Sequence, residues 1–178
     1  METKKIVFMG IFIALGLVIP TAFHYLLLGS GSVFLPMHIP VLLAGVYLGP
    51  AAGFIVGAVT PLLCSLLTGM PPLLPMLPIM FVELSIYGSA IGYLYQRRSL
   101  GIFTSLILTM LLGRVGAGFV VMIMVHLFGM NYLPANPLVY IWSSIIGGTV
   151  GIVIQLILIP VLLKYLKGGI TGELGVKQ

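Results

Sequence analysis

Seven of the eight Lys and Arg residues in this chain flank long apolar stretches, and the eighth, Arg114, sits inside one. Lys4, Lys5, Arg97, Arg98, Lys164, Lys167 and Lys177 bracket segments that otherwise carry almost no charge. Cations close to the ends of a span stay on the cytoplasmic side of a membrane, so their placement orients the chain as well as embedding it. A hydrophobic content of 60% against 6% charged residues supports the same setting. Such a composition lies far from that of soluble domains. The formal charge of +5 then belongs to the flanks. No basic patch with interleaved aromatics is present, which argues against a nucleic-acid partner.

Apolar segments long enough for a hydrocarbon core of ~30 Å recur throughout. Six spans are predicted: Lys5–Leu26, Met37–Leu48, Ala51–Leu67, Met76–Tyr95, Ser99–Phe128 and Leu138–Tyr165. The expected fold is an all-α integral membrane protein, a six-helix bundle with both termini cytoplasmic. One domain should cover residues 1–167, with 168–178 as a Gly-rich flexible tail. Ile6–Tyr25 has a basic start without a small-residue cleavage site, so it is expected to be a retained first span. The second span, about 18 Å as an ideal helix, calls for tilt, partial re-entry or shielding by neighbours. The three predicted outer connections, 27–36, 68–75 and 129–137, contain no charge and are rich in Gly, Pro, Ser and Asn. Loops of that kind can fold back over a pocket.

Small residues form stripes. Gly45, Gly49, Gly53 and Gly57 recur every fourth position, Gly10 pairs with Ala14, and Gly147 with Gly151. Such stripes let helix backbones meet closely where lipid gives no hydrophobic drive. For the first set, packing within the chain is the simpler reading. For Gly10 and Ala14, internal packing and a docking face for another membrane protein both stand.

Two charges are left inside the spans. Glu83 lies twelve residues from Tyr95 and Arg114 fifteen from Ser99, which puts them about 18 and 22 Å from the same side. An unpaired charge at that depth costs roughly 2.5–3.5 kcal/mol on insertion scales. They can form an ion pair that only fixes helix register, or Arg114 can bind an anionic group while Glu83 orients it or accepts a donor. Tyr87 lies one turn from Glu83. Ala117, Gly118, Val121 and Val125 continue the face of Arg114. Trp142, close to Ser143 and Ser144, belongs either to an interfacial aromatic belt or to a stack on a planar ligand. Asn131 and Asn136 in the last outer loop can hydrogen-bond a ligand or cap a turn. His38, at the outer start of the second span, joins the candidate ligand contacts.

Several chemistries are disfavoured. His24, His38 and His126 lack metal-ligand spacing, and Cys64, the sole cysteine, excludes an internal disulfide and a cysteine metal cluster. Neither metal nor cofactor is expected. No phosphate loop for ATP is present, and no catalytic constellation stands out.

The run Pro36-Met-His-Ile-Pro-Val-Leu-Leu-Ala-Gly-Val-Tyr-Leu-Gly-Pro-Ala-Ala-Gly, with Thr60-Pro61, Thr68-Gly-Met-Pro-Pro-Leu, Glu83-Leu84 and Tyr87-Gly88, resembles the S components of energy-coupling factor (ECF) transporters. The resemblance covers the first half closely and the remainder through span number and length. It implies a substrate-binding subunit of a bacterial vitamin importer in the cytoplasmic membrane. ATP hydrolysis would come from two separate ATPase subunits acting through a transmembrane T subunit. It also implies that Gly10-Ile-Phe-Ile-Ala14 meets that T subunit, although the family more often has Ala at both ends. The pocket would lie toward the outer side among the last three helices. Arg114 suggests an acidic ligand such as pantothenate or nicotinate; riboflavin, folate, a pyridoxine-like compound or a queuosine precursor are alternatives. A ligand-free structural or assembly subunit is the competing reading, and a membrane enzyme a weaker third.

Overall fold

The computed structural model describes residues 2–26, 35–130, 133–134 and 136–166. Among them are α1 (Glu2–Leu26), α2 (His38–Leu48), α3 (Pro50–Thr68), α4 (Met76–Gly92), α5 (Ile102–Phe128), α6 (Pro137–Gly147) and α7 (Thr149–Leu166). A single π-helical turn, Tyr93–Arg97, continues α4. The described residues form helices and no strand, and the chain is membrane-embedded: among them four helices are long and apolar enough to cross a bilayer, and α6 with α7 makes a fifth as a bent pair. The tail from residue 167 onward lies outside the described residues.

α2 has only 11 residues, about 16 Å of helix. It survives in lipid because it is enclosed. Every residue of α2 except Ile39 is buried. Val41, Leu42 and Ala44 keep no exposed surface. Its last turn is closed from another element, since Gln96 Nε2 donates to the Val46 carbonyl at 2.6 Å. Unmet backbone carbonyls are costly where water is absent, so this contact matters more than its length suggests.

The stripe of glycines explains how α2, α3 and α4 come together. A Cβ on Gly53 would overlap the Gly88 carbonyl, and one on Gly88 would overlap the Gly53 carbonyl. Gly57 stands in the same relation to Leu84, and Gly45 to Gly88. These helices touch backbone to backbone. Dispersion and close fit hold them, because lipid tails are as apolar as the side chains they replace. Gly49 makes the turn between α2 and α3 with φ +89°, and Pro50 starts α3 where its missing N–H does no harm.

The predicted continuous sixth span is broken. α6 and α7 meet at Gly148 with a bend of 61°. Gly147 and Gly148 supply little helix propensity there. Thr149 completes the break: its hydroxyl donates to the carbonyls of Ile145 and Ile146 at 2.9 Å each. Below the bend, α7 buries Gln155, Ile159 and Leu163, and both apolar residues join the main core. Above it, Ile79, Ala117, Val121 and Met124 form a second cluster that Tyr140 of α6 packs against.

Candidate functional site

Three elements bring the buried charges together. Glu83 on α4, Arg114 on α5 and His38 at the start of α2 are each at least 94% buried. Arg114 Nη1 lies 3.0 Å from Glu83 Oε1, and His38 Nε2 lies 3.8 Å from the same oxygen. The Arg–Glu contact is an ion pair by distance, without the alignment of a hydrogen bond, so Glu83 Oε1 has no aligned donor. The Tyr87 hydroxyl faces the same carboxylate from one turn along α4. Its ring meets the His38 ring edge-on at 5.0 Å and 65°. Gly113 makes room for that ring, since any Cβ there would run into it.

The polar inventory is unfinished. Arg114 Nε and Nη2, and both ring nitrogens of His38, are buried without a hydrogen-bond partner. Buried polar groups in native proteins are nearly always paired, by protein, water or ligand. These groups face a cavity of about 660 Å³. That volume falls in the range of small-molecule sites. Much of the wall is apolar and adaptable, with Met37, Met70, Met76 and Met80 around it. Thr68 pins the rim: its hydroxyl donates to the Cys64 carbonyl at 2.7 Å and accepts from the Met70 N–H at 3.2 Å.

A family model for the ECF transporter, substrate-specific component, matches residues 4–163. The chain belongs to this family. Comparisons with curated proteins and with solved structures found no match. The chain is thus a transporter's substrate-binding subunit and not an enzyme. Membership implies a small-molecule substrate and association with ECF T and ATPase subunits.

In this S component the predicted site residues have different fates. Arg114, Glu83 and His38 converge on the cavity, and Tyr87 supports them from beneath without lining it. Trp142 is 65% exposed and does not reach the cavity. At 100° per residue, the phase of α6 that turns Tyr140 and Ser144 inward turns Trp142 out. Asn136 is also exposed, and its Oδ1 accepts from the Leu138 N–H at 2.9 Å, the capping alternative. Asn131 lies outside the described residues. Gly10 and Ala14 are exposed on α1, with nothing within 4 Å of a Cβ on Gly10.

Other lining residues were not singled out from the sequence. Thr21 of α1, Cys64 of α3 and Tyr140 of α6 all border the cavity. Cys64 is buried and its position also touches the site. The Tyr140/Ser144 pair at i, i+4 was the one available signal. The contributions of α1 and α3 depend on tertiary packing that no local pattern announces.

Proposed function

We propose that this S component captures a small water-soluble vitamin or precursor bearing an acidic group, for ATP-driven uptake powered by separate subunits. The observation that carries the reading is the buried guanidinium of Arg114, with Nε and Nη2 unpartnered at a cavity of ligand size. An anionic group would complete it with charge-assisted hydrogen bonds. Glu83 holds the other edge of the guanidinium, and His38 Nδ1 is without a hydrogen-bond partner while its Nε2 faces Glu83. Pantothenate and nicotinate are the leading ligands on these grounds. Folate, which carries two carboxylates, remains an alternative; riboflavin, pyridoxine-like compounds and a queuosine precursor are less well matched to the requirement for an anion.

The proposed topology has six crossings, with the enclosed α2 counted as one and the bent α6–α7 pair as another. It puts both termini in the cytoplasm of a bacterial cell and the cavity toward the outside. The charge-free connections at one end and the cationic flanks at the other support it. Gly10 and Ala14 are proposed to meet the T subunit, supported by their exposure and the open space over Gly10.

The competing reading is a ligand-free assembly subunit in which Glu83–Arg114 merely fixes register, and the 3.0 Å contact favours it. A charge-neutral double replacement, Glu83→Gln with Arg114→Met, separates the two. Thermal shifts across a vitamin panel should appear with the wild type and vanish in a double variant that still folds. Unimpaired uptake by that variant would favour the structural role.

A further inference from the structure

The break between α6 and α7 lies against the free edge of Arg114. A Cβ on Gly148 would come within 3.0 Å of Arg114 Nη2 and 3.1 Å of Leu35 Cδ1. Gly147 and Gly148 both border the cavity, as Arg114 does. The Gly148 N–H bonds to the Ser144 carbonyl at 3.0 Å, and the Ile152 N–H bonds to the Gly148 carbonyl at 2.9 Å. The helix restarts at Thr149, so the first turn of α7 opens at the break.

The two sides of the break are not equivalent. At the end of α6, the carbonyls of Ile145 and Ile146 are already taken by the Thr149 hydroxyl. On the other side, the break presents the N-terminal end of α7, with a helix of 18 residues behind it. A helix start of this kind carries roughly half a positive charge on its free N–H groups. Broken membrane helices use such ends to hold anionic groups. The buried guanidinium adds a full charge and two idle donors at the same place.

We infer that Gly148, the start of α7 and the free edge of Arg114 together form a seat for a carboxylate or phosphate, with the ligand's apolar body against the methionine wall. This rests on the ligand-binding reading above and narrows it to anions on an apolar frame. Glycine at position 148 is what keeps the seat open: a methyl there would press on Nη2, on the Ser144 carbonyl and on Leu35 at once. Glu83 stays paired with Nη1, so the seat does not require the ion pair to open.

The test uses the full chain in nanodiscs with matched probes: nicotinate and nicotinamide, pantothenate and pantothenol, pyridoxal phosphate and pyridoxal. Equilibrium binding should favour the anionic member of the best pair by at least about tenfold, as expected for a charge-assisted site at a helix start. Gly148→Ala should remove most of that preference while the melting temperature without probe stays near wild type. If Gly148→Ala does not fold, Arg114→Lys replaces it, since it keeps the charge but removes the planar fork, and it should show the same loss. Equal binding of both members by the wild type would overturn the seat and leave ligand binding standing. Full anion preference in the folded variant would also overturn it. Binding of no probe at all would count against both this inference and the ligand-binding reading.

Discussion

Arg114 illustrates how one residue can be legible from sequence while its surroundings are not. Counting from the cationic flanks put it level with Glu83, and their 3.0 Å contact follows from that depth. His38 is different. Its nearness to Glu83 depends on how α2 enters the bundle, which residue spacing does not encode. Trp142 faces outward, in keeping with the aromatic-belt alternative; a sequence does not say which face of α6 looks inward. Two predictions belong at this scale. Arg114→Met alone leaves Glu83 buried without its cation and should destabilise the protein by roughly 3–5 kcal/mol. The double replacement with Glu83→Gln should recover much of it, read from thermal melts in detergent; equal melts for both would deny the pairing. Gly113→Ala should push the Tyr87 ring against His38 and cost about 1–3 kcal/mol by overpacking. An unshifted melt would show that the ring can move freely.

At the scale of elements, the glycine stripe was readable and the broken span was not. Gly45, Gly53, Gly57 and Gly88 meet backbone to backbone, as small residues at fourth positions suggest. Gly147 looked like part of another such stripe with Gly151, yet nothing lies within 4 Å of a Cβ on it. Instead, the Gly147–Gly148 pair and the Thr149 hydroxyl open the helix. A side chain that captures carbonyls three and four residues back is easily overlooked in an apolar run. α1 offers the cleanest test of an element's role. Gly10→Leu or Ala14→Leu should leave ligand binding by the isolated subunit intact, because neither residue borders the cavity. ATP-driven uptake in proteoliposomes should fall strongly, since bulk at such a face blocks close helix approach. Parallel loss of binding and uptake would assign both residues to the subunit's own packing, and full uptake would leave them facing only lipid.

For the molecule as a whole, all-helical membrane character followed from charge placement and apolar run length. The cavity did not follow, because its walls come from α1, α2, α3, α4, α5 and α6 and from connections between them. The proposed orientation can be checked with the natural cysteine replaced by Ala. A cysteine at exposed Leu73 should react in intact cells with an impermeant thiol reagent, whereas one at exposed Ser99 should react only after permeabilisation. The reverse pattern would invert the topology and move the cavity to the cytoplasmic side. The central claim is that the unpartnered edge of Arg114 awaits a ligand, and mass spectrometry of what the purified protein retains addresses it most directly. Denaturing the wild type should release a small anionic molecule that is missing from a folded Glu83→Gln/Arg114→Met variant. Equal recovery from both proteins, or none from the wild type, would contradict the account.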